Sequence, residues 1–83
     1  MEVLPSNNLV LKKLKKYGLV RKYEKQIILL ASNLYHPSLH VELLEPRMME
    51  IYSFRIDRKY RAIFIFRKKG RVIEILNVTV HYH

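Results

Sequence analysis

Apolar residues recur along the chain with two different periods, and the change of period divides it in half. From Leu9 to Tyr17, "LVLKKLKKY" places Val10, Leu14 and Tyr17 on one helical face with Leu11 beside them. Lys12, Lys13, Lys15 and Lys16 fall mostly on the remaining faces. Ser6 and Asn7 precede this helix as N-cap residues, and Gly18 follows it as a stop. Val20, Tyr23, Ile27, Leu30, Ala31 and Leu34 repeat the three-four spacing and predict a second helix, ended by Pro37. The short link around Gly18 folds the two into an antiparallel hairpin. Ahead of them "MEVL" reads as a short strand stopped by Pro5, which has no N–H to offer a ladder.

After the connector "YHPSL" the pattern changes. "EIYSFRID", "YRAIFIFR" and "RVIEILNVTV" are rich in Ile, Val, Phe and Tyr and are separated by polar residues. They predict three consecutive antiparallel strands, with Gly70 at the left-handed position of a three-residue second turn. Apolar residues on both faces predict a sheet covered on both sides. The expected architecture is α+β: a short N-terminal strand, a two-helix hairpin and a three-stranded antiparallel meander, in a single domain over residues 1–83.

Turns at 57–59 and 68–70 set a register. Arg55 then lies opposite Arg61, Arg61 opposite Asn77, and Asp57 opposite His81, so that Arg55, Arg61, Asn77 and His81 share one face. An arginine within "YRAIF" has its stem partly buried, a position reserved for a paired or functional charge. Asp57 and Glu74 are the acids within reach for a plain salt bridge.

Charge narrows the function. Sixteen Lys and Arg against seven acids give a formal net charge of +9, a potential that draws polyanions. There is no cysteine, which excludes disulfides and thiolate metal sites and suits a cytoplasmic setting. "IILLA" and "AIFIF" are too short to span a bilayer, and "MEVLPSNN" does not read as a signal peptide, so no membrane association is expected.

The chain contains no G-x-G-x-x-G, no Walker loop and no G-x-S-x-G. His36 and His40 are interrupted by Pro37, and His81 and His83 match no zinc signature, so no metal is assigned. What remains is a basic surface, an in-strand arginine, Glu42 and Glu45 ahead of the sheet, and a terminal "HYH". Metal-free RNA cleavage uses that inventory. A base takes the 2′-OH proton, an acid protonates the leaving oxygen, and fixed cations hold the charge between them. Histidine suits the acid role, and tyrosine can stack on a splayed base.

With its two basic helices, "HPSL", "YSFRIDRKYRAIF" and the terminal "HYH" in that order, the chain resembles the RelE/ParE superfamily of toxins, close to the RelE and YoeB branch. That resemblance implies a ribosome-dependent mRNA endonuclease without cofactor. It further implies a cognate antitoxin as partner, a toxin–antitoxin hetero-oligomer, and contacts to rRNA through Lys12, Lys13, Lys15 and Lys16. By the same resemblance Glu42 is the general base (Glu45 allows a second alignment), Arg61 steadies the phosphate, and Arg55 is a further basic contact. His81 is the acid, Tyr82 contacts the base, and the additional His83 competes for the acid role or contacts substrate. ParE-type gyrase inhibitors and inactive, binding-only relatives share the fold, and they are the alternatives.

Overall fold

A computed structural model describes residues 1–80. The elements are β1 (Glu2–Val3), α1 (Asn8–Lys16), α2 (Val20–Ser32), β2 (Glu42–Leu43), β3 (Tyr52–Arg55), β4 (Tyr60–Arg67) and β5 (Val72–Val80), with single 3-10 turns at Pro37–Leu39 and Arg47–Met49. The strands form one mixed sheet in the order β1-β5-β4-β3-β2.

The helix boundaries follow local chemistry. Asn7 Oδ1 accepts from the Val10 N–H at 2.9 Å and caps α1. At the other end the Leu19 N–H reaches the Leu14 carbonyl at 2.8 Å and the Gly18 N–H the Lys15 carbonyl at 3.2 Å. This is a Schellman closure, with Gly18 left-handed at φ +66° and Leu14 and Leu19 both buried. Lys13, Lys15 and Lys16 occupy the last turn, where cations are favoured. α2 stops at Ser32, well before Pro37. Ser32 Oγ turns back on the Ile28 and Leu29 carbonyls, and Asn33 Oδ1 takes the Tyr35 N–H, so local side-chain bonds end the helix first. Leu34 therefore packs from outside the helix.

Helices and sheet enclose one core. Val10, Leu14, Leu19, Tyr23 and Leu30 meet Phe54, Ala62, Phe64, Ile73, Ile75 and Val78. Each large side chain buried there contributes about 1.5–3 kcal/mol. Three helical positions differ from expectation. Leu11 and Val20 are exposed, while Gln26 is buried and donates from Nε2 to the carbonyls of Ser38 and Arg55. The helices pack on one face only, and Ile63 and Ile65 on the other face lie outside the core. The expectation of cover on both sides is therefore corrected.

The three-stranded meander is present as β3, β4 and β5. β1 joins it in parallel beside β5, and β2, expected from sequence to lie ahead of the sheet, pairs antiparallel with β3 to give the far edge. Arg55 lies opposite Arg61 as expected. Arg61, however, pairs with Thr79, and Asn77 pairs with Ile63. Two shifts cause this. Arg67 pairs with Val72, so the second turn takes Lys68–Arg71, one residue more than predicted. A bulge opposite Ile63 and Phe64 then skips Leu76.

Candidate active site

Arg61 is the most constrained charge of the described residues. It is only 4% exposed. Its Nε donates to Ser53 Oγ at 2.8 Å and its Nη2 to the Ser53 carbonyl at 3.2 Å and to the His40 carbonyl. His40 sits in the left-handed region at φ 43°, which turns its carbonyl toward the guanidinium. Nη1 has no hydrogen-bond partner among the described residues. An arginine fork held on two of its three nitrogens keeps a fixed direction, which a lysine could not reproduce.

A cleft of about 260 Å³ opens at this guanidinium, lined by Glu42, Leu44, Ser53, Arg61, Ile63, Thr79 and Val80. β2 supplies Glu42, directly opposite Ser53. The short edge strand therefore aims the carboxylate at the arginine's side of the sheet. Burial pulls the Arg61 guanidinium below its ordinary value, the Glu42 carboxylate pushes it up, and the opposed Arg55 lowers it. It stays protonated throughout the physiological range. Glu42 acts through space, since the two form no direct ion pair. The arrangement can hold an anion beside a carboxylate that is free to take a proton.

The other predicted residues divide clearly. Glu45 is exposed and paired with Arg47 at 3.4 Å, and it does not line the cleft. Asn77, expected beside Arg61, instead accepts from Lys13 Nζ at 2.8 Å, and Lys13 also reaches the Val78 carbonyl at 3.1 Å. Lys13 thus ties α1 to β5, whereas Lys12, Lys15 and Lys16 are exposed. Asp57 belongs to the β3–β4 turn, where it takes the N–H groups of Lys59 and Tyr60 and pairs with Lys22 at 3.1 Å. Glu74 is paired with Arg67, so neither acid neutralises Arg61. His81, Tyr82 and His83 lie outside the described residues. Among the described residues no cluster of three or more potential metal ligands occurs, and no helix is long and apolar enough to cross a membrane. Ser53, the His40 carbonyl and Thr79 were not singled out in the sequence. Ser53 had a signal, two residues before Arg55 and hence on its face.

Solved structures share this fold. A YoeB/ParE toxin from Agrobacterium tumefaciens superimposes with a TM-score of 0.73 at 17% identity, covering 99% of this chain and 100% of that one. A chain of the archaeal RelE–RelB complex from Pyrococcus horikoshii gives 0.68 at 25% identity, covering 95% and 92%. The chain has the fold of the RelE/ParE superfamily of toxins. A YoeB dimer from Staphylococcus aureus matches the same RelE/ParE architecture with a TM-score of 0.72 at 17% identity, covering 99% and 98%. No family model matches the sequence, and no curated protein matches it either.

Proposed function

We propose that the chain is the toxin of a type II toxin–antitoxin pair and acts as an endoribonuclease on ribosome-bound mRNA. One observation carries the reading: a buried arginine clamped by Ser53 and His40, with Glu42 on the same cleft and, among the described residues, nothing bridging the two. A purely structural arginine would be expected to be neutralised by a bonded carboxylate.

In this reading the scissile phosphate sits against Arg61 Nη1, with Arg55 adding charge. Glu42 takes the proton from the ribose 2′-OH, and that oxygen attacks phosphorus as the bond to the 5′-oxygen breaks. His81 gives its proton to the leaving oxygen, so the products are a 2′,3′-cyclic phosphate and a 5′-hydroxyl. Val80 lines the cleft and His81 follows it directly in the chain. Tyr82 stacks on a base beside the cut, and His83 adds a contact to substrate. The ribosome supplies part of the alignment, engaged by the exposed lysines of α1. RelE–RelB and YoeB–YefM complexes among the similar structures support a cognate antitoxin as partner.

The test is primer extension on an mRNA translated in a purified extract, with wild type, Arg61→Ala and His81→Ala. Ribosome-dependent cuts that both substitutions abolish are expected. Growth arrest that survives both substitutions, with no cuts from any protein, assigns the chain to a gyrase-directed function instead.

A further inference from the structure

The other face of the sheet holds a cavity larger than the Arg61 cleft. That cavity, about 460 Å³, lies between the connector after α2 and the start of β3, and its walls include Tyr35, His36, His40, Tyr52 and Phe66. Tyr35 stands at its rim 87% exposed, an aromatic surface with no core to serve. Tyr52 and Phe66 meet edge to face at 5.1 Å. The same two rings also line a second depression of about 370 Å³, whose other wall is the β4–β5 turn with Lys68 and Lys69. The two hollows therefore form one trough, ringed with aromatics at one end and cationic at the other.

The cations are uncommitted. Lys68 and Lys69 are exposed and make no ion pair or side-chain hydrogen bond among the described residues, whereas Arg67 is taken by Glu74. Both lysines are left-handed, at φ 50° and 56°, in the turn that runs one residue longer than predicted. Arg71 adds a further charge, and Glu50 is the acid at the rim.

From this we infer that the trough binds an unpaired stretch of RNA, at a site separate from the cleavage cleft. Aromatic walls offer stacking to any base, and adjacent cations track the phosphates that follow. The imidazole and phenol edges add hydrogen bonds that a splayed base can use. A duplex presents no free base face to these walls. Tyr52 and Ser53 are consecutive in β3 and point to opposite faces, so RNA in the trough leaves the Arg61 cleft open. The trough is thus a second hold on a substrate, or on the RNA around it, and it does not depend on cleavage.

The chain has no tryptophan, so Tyr35→Trp installs a single fluorescent reporter at the rim. Titration with a six-nucleotide oligouridylate is expected to quench it saturably, and a blunt RNA duplex to quench it far less. Adding Lys68→Gln and Lys69→Gln should flatten the dependence of log K on log salt by about 1.4, about 0.7 for each lost phosphate contact on a single strand. In an anisotropy titration of the same oligonucleotide, Tyr35→Ala should weaken binding at least about fivefold. These substitutions touch only exposed side chains, so folding is preserved. Glu42→Gln, at an exposed residue that lines the cleft and not the trough, is expected to cut the cleavage rate and leave the quench unchanged, which separates this inference from the proposed nuclease. Oligonucleotide binding by anisotropy without any quench overturns the inference. So does a quench by duplex as strong as by single strand, a quench indifferent to the two lysines, or a quench by an acidic peptide that single-stranded RNA does not match.

Discussion

Ser53 holds Arg61 twice, through its hydroxyl at 2.8 Å and its carbonyl at 3.2 Å, and both residues are almost fully buried. The carbonyl bond is independent of side-chain identity, but the hydroxyl bond is not. Ser53→Ala leaves a buried, charged N–H without a partner, a loss of about 1–3 kcal/mol. Because that bond also fixes the direction of Nη1, cleavage should fall about tenfold or more beyond what reduced folding explains, with substrate binding less affected. Urea denaturation gives the first quantity and single-turnover cleavage the second. Equal cleavage rates for folded wild type and variant would remove Ser53 from the positioning of Arg61.

Glu42 and Glu45 make a second, sharper comparison. Glu42 lines the cleft and acts electrostatically on Arg61, while Glu45 is exposed and paired with Arg47. Glu42→Gln should cut the cleavage rate by about 10²–10⁴, the usual range for a lost general base. Glu45→Gln should change neither rate nor stability by a measurable amount, since exposed pairs are worth about 0–1 kcal/mol. Both proteins should unfold within about 0.5 kcal/mol of wild type, because neither carboxylate is buried. A large rate loss for Glu45→Gln alone would move the base to the second alignment.

These contrasts also mark what the sequence could reveal. The Asn7 cap, the Gly18 stop and the Arg55–Arg61 pair follow from local patterns, and all are present. Asn77 went astray because the bulge at Ile63/Phe64 and the longer Lys68–Arg71 turn each shift the pairing by one residue. Together they restore the face alternation while changing the partner, so period-two reading has no means of detecting them. β2 is two residues long, below what any periodicity can register, yet it is the strand that brings Glu42 to the cleft. Gln26 was unread for a different reason. A polar residue on a helix suggests solvent, and only the tertiary fold reveals the Ser38 and Arg55 carbonyls that it satisfies.

The β3–β4 turn gives a pH signature. Partial burial raises the Asp57 carboxyl, but the N–H groups of Tyr60 and Lys59 and the Lys22 ammonium outweigh it, so the group is held below its ordinary value. A depressed folded-state value means that the unfolded chain binds the proton more readily. The stabilisation is therefore complete above the unfolded value, near 3.9, and is lost as pH falls through the lower folded one. Asp57→Asn keeps an oxygen for both N–H groups and removes only the charge. The stability gap between wild type and Asp57→Asn should be constant above about pH 5 and shrink toward zero in more acid solution. Urea titrations at a series of pH values measure it, and a gap that widens in acid would reverse the assignment.

The lysines of α1 look alike in sequence and should behave oppositely. Lys13 bridges to Asn77 and the Val78 carbonyl, so Lys13→Met removes a charged donor from two partly buried acceptors, of which Asn77 Oδ1 keeps the Val78 N–H. A loss of about 1–3 kcal/mol is expected, with a matching fall in the denaturation midpoint. Lys16 is exposed, with its ammonium 5.6 Å from the centre of the Tyr17 ring. Lys16→Gln should leave stability within about 0.5 kcal/mol. Its effect belongs to binding. If α1 meets ribosomal RNA, Lys16→Gln weakens ribosome association in low salt and lowers the salt dependence by about 0.7–0.9 for the single phosphate lost. Lys12→Gln and Lys15→Gln should do the same, and the three together should add, because each acts on its own phosphate. Lys13→Met, by contrast, should leave the salt slope of the folded protein unchanged, since its charge is already committed to β5. Equal slopes for wild type and the Lys12, Lys15 and Lys16 triple variant would place the ribosomal contact elsewhere on the surface.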